Sequence, residues 1–137
     1  MEHEPLQPCP CCSGKTYRNC CESYHKGCNP PDALALMRSR YSAYALNLPD
    51  YIIATTHPSN EHYCSEQEHW KNTISQFSIH TNFEKLEVQS FIRGDSVAFV
   101  TFTARLKQNL RDASFTEKSR FEIHDGKWLY HSAVSLT

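Results

Sequence analysis

Five of the seven cysteines of this 137-residue chain fall between Cys9 and Cys21, in the stretch CPCCSGKTYRNCC. Little around them could build a core: apart from cysteine, the sizeable apolar side chains between Met1 and Asn29 are Leu6, Tyr17 and Tyr24. So few cannot offset the entropy of ordering about thirty residues, and the segment must be fixed by disulfides, by thiol chemistry or by a metal. The start, MEHEPLQP, has neither the basic residues nor the apolar run of a signal peptide, and no later stretch is long and apolar enough to span a bilayer. A cytoplasmic location is therefore expected, with no membrane partner. A reducing compartment disfavours disulfides, and an odd cysteine count leaves one thiol over in any oxidised scheme.

The spacing selects two pairs, Cys9 with Cys11 and Cys20 with Cys21, joined by eight residues. In an extended segment, residues i and i+2 face the same side, so Cys9 and Cys11 can offer both sulfurs to one ion while Pro10 stiffens the link. Gly14 supplies the positive φ of a reversal, and Ser13 can bond free N–H groups there. Four thiolates is the number a closed structural zinc site takes, and Lys15 and Arg18 are placed to offset the excess negative charge. A vicinal disulfide at Cys20 and Cys21, a free-thiol cluster and a thiol redox sensor are the competing readings. Chelation is expected to unfold residues 8–26 and to spare the rest.

The same stretch resembles the SEC-C motif, a short zinc module first named from the C-terminal tail of the SecA translocation ATPase, with the pattern C-x-C-x-S-G followed by Cys-Cys or Cys-His. The resemblance implies Cys9, Cys11, Cys20 and Cys21 as ligands of a structural zinc. Cys12 departs from the pattern, which usually has glycine there. A positive φ at that position would carry a steric cost, and a spare thiol could enter the coordination sphere or ease oxidation. Cys28 and Cys64 lie outside the pattern and are expected to be buried and inert.

Composition changes at Pro30, which divides the chain into a motif at 1–29 and a domain at 30–137. Asp32 is a plausible N-cap for a helix whose apolar stripe runs Leu34, Met37, Tyr41, Ala45, Leu48, with Arg38 at its edge and Arg40 well away from it. LPDYIIATTHP reads as a short second helix. SEQE has the form of a capping box, with Ser65 as N-cap, opening a helix that buries Trp70, Ile74 and Phe77. After Phe83 the pattern is β. A two-residue turn at Asp125-Gly126 pairs Ile123 with Trp128 and Phe121 with Tyr130 on an inward face. A similar turn at Gly94-Asp95 pairs Ile92 with Val97 and puts Leu86, Val88, Thr101, Thr103 and Arg105 inward. Ala98, Val100, Phe102 and Ala104 are then left outward, to be covered by another element or by a second subunit in a homodimer.

Helices followed by an antiparallel sheet indicate an α+β layer fold. LMRSRYSAY, ATTHPS, AFVTFTARL and SRFEIHDGKWLY resemble the matching stretches of the YchJ family, bacterial proteins that join a SEC-C motif to a domain of the nuclear-transport-factor-two-like type. That resemblance spans nearly the whole chain and implies a cone-shaped, cystatin-like curved sheet packed with helices; it brings no settled activity.

A cone encloses a cavity, and Arg38 and Arg105 are expected to converge there between Tyr41, Trp128 and Tyr130, with His57 at the rim, to hold a small anionic ligand. An enzyme built on Arg38, His57 and Arg105 is the alternative, although no nucleophile triad, phosphate-cradling loop or paired-carboxylate signature supports it. Net charge is −1 and evenly spread, which excludes a general nucleic-acid binder. Lys15, Tyr17, Arg18 and Tyr24 form a small basic-aromatic surface suited to an acidic protein or ribosomal RNA. By resemblance to the SecA tail, the expected partner is a chaperone, a translocation component or the ribosome, and the chain is expected to be a non-catalytic adaptor.

Overall fold

The computed structural model describes residues 6–137. A 3-10 turn at Tyr17–Asn19 is followed by helices α1 (Glu22–His25), α2 (Ala33–Ala45), α3 (Pro49–Ala54) and α4 (Gln67–Ile79). Five strands then form one antiparallel sheet: β1 (Asn82–Ile92), β2 (Val97–Gln108), β3 (Arg111–Asp112), β4 (Phe115–His124) and β5 (Lys127–Leu136). The path β1-β2-β4-β5 is a curved meander with the short β3 beside β2. Among the described residues, no helix is long and apolar enough to cross a membrane.

Asp32 caps α2 as its sequence implies, accepting the Ala35 N–H at 2.8 Å. The helix lacks the single apolar stripe expected of it: Ala33, Leu36, Met37, Ser39, Arg40, Tyr41, Ser42 and Ala43 are all buried. It is enclosed by the cysteine segment on one side and by the sheet on the other, so polar residues line one buried face. The SEQE capping box does not form. Glu66 precedes α4 with no side-chain cap, and Phe77 stays partly exposed, edge-on to Tyr44 and Phe83. After α3, residues 55–57 run along β5, with Thr56 bridged in parallel to Tyr130.

The Asp125-Gly126 hairpin has the expected register, Ile123 opposite Trp128 and Phe121 opposite Tyr130, with positive φ at both turn residues. Phe121 is fully buried, whereas Ile123 at the end of the sheet is exposed.

The β1–β2 hairpin differs. Ile92 pairs with Phe99, so residues 93–98 separate the last paired positions, and a Cβ on Gly94 would lie 1.9 Å from the Val97 carbonyl oxygen, so only glycine fits. Irregularities between Val88 and Ser90 and between Phe83 and Lys85 each insert a residue and switch the facing of β1. Leu86 and Val88 therefore face inward together with Ala98, Val100, Phe102 and Ala104. The apolar face expected to be outward, and the reason for a homodimer through it, is covered by α2 of the same chain. Arg105 is the converse correction: it faces solvent and pairs with Glu87 at 3.0 Å.

Leu106→Ala, its side chain buried on the inward face of β2, is expected to lower stability by about 2–5 kcal/mol, whereas Arg105→Ala should change it by no more than about 0.5 kcal/mol. Urea unfolding of the two variants checks the facing of the sheet.

Candidate functional site

The N-terminal segment folds as a miniature hairpin. Cys9 N–H donates to the Lys15 carbonyl and Tyr17 N–H to the Gln7 carbonyl, both at 2.9 Å, and Gly14 takes φ 89° at the reversal. Cys9 to Cys12 form a tight turn rather than an extended run, closed by Cys12 N–H on the Cys9 carbonyl at 3.1 Å. The 3-10 turn then delivers Cys20 and Cys21.

The ligand atoms of Cys9, Cys11, Cys20 and Cys21 lie within 4.8 Å of one another. Cys11 Sγ is 3.5 Å from Cys20 Sγ, which is 3.8 Å from Cys21 Sγ. Tetrahedral zinc with Zn–S near ~2.3 Å sets its sulfurs about 3.8 Å apart, so the cluster fits one divalent ion held by four thiolates. A shared cation also resolves their competing ionisation. Hydrogen bonds from Cys21 and Cys9 hold Cys11 far below the ordinary thiol range, while burial pushes Cys20 up to about 11 and the bond to Cys11 drives Cys21 higher still. Four ligands leave no open position, which is the arrangement of a structural site.

Around the sulfurs stand groups that sequence spacing did not single out. The Ser42 hydroxyl lies 3.4 Å from both Cys9 Sγ and Cys21 Sγ. Arg38 Nη1 donates to the Cys11 carbonyl at 2.8 Å, so this arginine carries positive charge against the clip. His25 Nε2 donates to the Ser39 carbonyl, leaving Nδ1 to accept from the Tyr17 hydroxyl, each at 2.8 Å. Tyr17 is thus buried and absent from the expected docking surface, while Lys15 and Arg18 are exposed and Tyr24 half-buried. Cys12 has φ 63°, a left-handed conformation costing a non-glycine residue about 1–2 kcal/mol, and its exposed thiol turns to the Pro10 carbonyl, away from the cluster. Cys28 is exposed, contrary to expectation, and Cys64 is half-buried.

The cone holds an open cavity of about 630 Å³. Tyr41 and Tyr130 line it; Arg38, His57, Arg105 and Trp128 do not. The expected arginine pair therefore never converges, and neither does the Arg38, His57, Arg105 set proposed for an enzyme. Trp128 lies instead at the hairpin end near Asp32 and Arg93. His57 sits on the other side of β5, with ring centroids 4.8 Å from His124 and 4.9 Å from His131 and Nε2 4.0 Å from Glu122. Burial and those two imidazoles hold its pKa below the ordinary histidine value.

The charged groups that do reach the cavity are Arg40, Glu117 and, at the mouth, Glu61. Arg40, expected to point away, lies 4.7 Å over the Tyr130 ring and donates from Nη1 to the Ile52 carbonyl and to the Thr55 and Thr56 hydroxyls. Glu117 Oε2 accepts from the Ser119 hydroxyl and, at 2.8 Å, from the Tyr130 hydroxyl. Burial and the nearby carboxylate push the Tyr130 phenol well above its usual pKa, keeping it a donor. Strand alternation carried the signal for this site: once Phe121 faces inward, Ser119, Glu117 and Phe115 must follow.

A curved sheet enclosing a cavity, joined to a four-cysteine clip, defines a nuclear-transport-factor-two-like protein with a SEC-C element. The sequence comparisons agree, matching SEC-C over residues 7–23 and "YchJ, middle NTF2-like domain" over 32–133, and the chain belongs to the YchJ family. It is 41% identical to a UPF0225 protein of Vibrio vulnificus over 89% of this chain and 71% of that one. A UPF0225 protein of Xanthomonas campestris is 38% identical over 94% and 95%. The solution structure of a SEC-C motif protein from Rhodopseudomonas palustris superimposes with a TM-score of 0.79 at 30% identity, covering 94% of this chain and 98% of that one.

Cys9, Cys11, Tyr17 and Cys21 share one buried cluster with Leu36, Met37, Val100 and Phe121, so the clip is part of the domain core. Stripping the metal is therefore expected to destabilise the whole chain by at least about 2 kcal/mol, the scale of one lost core side chain, and not residues 8–26 alone. The two tryptophans, Trp70 and Trp128, both lie in the main domain. Their unfolding transition in urea, recorded with and without chelator, separates the two cases.

Proposed function

We propose that the protein is a non-catalytic binding protein in which a structural zinc clip braces helix α2, the wall of a cavity that takes a small, largely apolar molecule. The open cavity between α2, α4 and the sheet carries this reading. Its volume suits a small ligand, and its walls are mostly apolar and aromatic around a few polar groups, the usual composition of a ligand site. Arg38 and Arg105, expected to bind an anion, lie elsewhere, and the arginine that lines the cavity, Arg40, is engaged by the Ile52 carbonyl and the Thr55 and Thr56 hydroxyls, so the ligand class shifts from anionic to apolar. The neutral fluorophore N-phenyl-1-naphthylamine should bind the zinc-loaded protein saturably at one per chain. Ala104→Phe, placed on the cavity wall, should weaken that binding at least tenfold with zinc content unchanged.

Docking through the clip is a second reading, supported by Lys15 and Arg18: both are exposed, and no described acidic residue pairs with either. With Tyr17 buried, the surface is basic rather than basic-aromatic and suits an acidic protein or ribosomal RNA, in line with the SecA-tail resemblance. Co-sedimentation with purified ribosomes at low salt should fall several-fold in a Lys15→Ala, Arg18→Ala variant that retains its metal; equal sedimentation would remove this surface from consideration.

A further inference from the structure

Glu117 is an unusual side chain to find on the wall of an aromatic cavity. Its Oε2 is already engaged by two hydroxyl donors, Ser119 and Tyr130, and each of those hydroxyls has only one proton to give. Both donors are fixed by β-structure, Ser119 two residues along the same strand and Tyr130 on the neighbouring one. Oε1 makes no such bond among the described residues. The carboxylate is thus oriented from one side and left with acceptor capacity on the other.

The charges around it lean the same way. Arg40 is held at the end of α3 by three bonds from Nη1 and stacks on the Tyr130 ring, and no ion pair joins it to Glu117 among the described residues. With Glu61 at the mouth, acidic groups outnumber basic ones in the lining when its histidines are neutral. Rings of Tyr44, Trp70, Phe77 and Phe115 also face the space, and aromatic faces attract cations.

We infer that the cavity is selective for an organic amine: a protonated ammonium group donates to Glu117 Oε1 while its hydrocarbon or aromatic body fills the space between α4 and the sheet. This rests on the cavity reading and adds a ligand class to it. An anion would meet the carboxylate unfavourably, and a hydrocarbon would leave Oε1 desolvated without a donor.

Titration of the 13C,15N-labelled, zinc-loaded protein with phenethylamine, 2-phenylethanol, phenylacetate and ethylbenzene tests it. Phenethylamine is expected to bind at least tenfold more tightly than the other three and to shift the side-chain carboxyl carbon of Glu117. Glu117→Gln should abolish that advantage, and ethylbenzene should bind the variant at least as tightly as the wild type, since no desolvated carboxylate opposes it, which also reports that the variant is folded. Tyr130→Phe, which removes one donor but keeps the carboxylate, should retain the amine preference. Equal affinity for the four probes, or a preference that survives Glu117→Gln, overturns amine selectivity and leaves the cavity reading standing. If no probe, ethylbenzene included, perturbs cavity amides, both fail.

Discussion

Helix α2 is gripped from both sides, and the remaining structure is arranged around that grip. On one face, Arg38 and Ser42, one helical turn apart, meet the Cys11 carbonyl and the sulfurs of Cys9 and Cys21. On the other, Leu36, Met37 and Tyr41 pack with the sheet. A helix with water on one side can satisfy polar residues there; this one pairs Arg38, Ser39, Arg40 and Ser42 internally and leaves the buried Tyr41 hydroxyl without a hydrogen-bond partner among the described residues. Ser39 illustrates the cost, giving its hydroxyl to the Leu36 carbonyl, meeting the Tyr51 hydroxyl, and offering its own carbonyl to His25. The clip thus contributes much of the buried surface that lets α2 serve as a fixed cavity wall.

The cavity depends on a second set of constraints at the β5 edge. Residues 55–57 bond to Tyr130, fixing the end of α3 to the sheet, and the Thr55 and Thr56 hydroxyls then hold Arg40 over the same ring. Tyr130 therefore links three things at once: a sheet edge, a buried cation and the carboxylate of Glu117. The cation is satisfied by hydroxyls and a carbonyl rather than by an ion pair, which leaves the carboxylate free to meet something else.

Local chemistry in the sequence foretold three local features and missed two, the SEQE capping box and a two-residue turn at Gly94-Asp95. Asp32 before an apolar run, Asp-Gly between two alternating segments and four cysteines in two pairs each act through their nearest neighbours, and each fold element is present. Long-range facing was harder. The extra residues around Gln89 and Glu84 carry no turn signature, yet each reverses which side of β1 looks inward, and with that the roles assigned to Arg105 and Ala98 exchange. Arg38 and Arg40 were misjudged for a different reason: position relative to an apolar stripe says nothing when the helix is buried all round. Glu117 was legible, since it shares parity with Phe121, but an isolated glutamate in a strand reads as a solvated residue until its two hydroxyl partners are seen.

The clip leaves an imprint on the domain that receives it. Arginine and serine four positions apart on α2, beneath a helix cap at Asp32, are needed only where a sulfur cluster lies against that helix. A related domain that had shed its N-terminal cysteines would expose or orphan both side chains, and selection would be free to replace them with the ordinary surface residues of an amphipathic helix. Gain or loss of the cysteine segment in evolution should therefore be accompanied by change at positions 38 and 42, making the two parts heritable as a unit rather than as interchangeable modules.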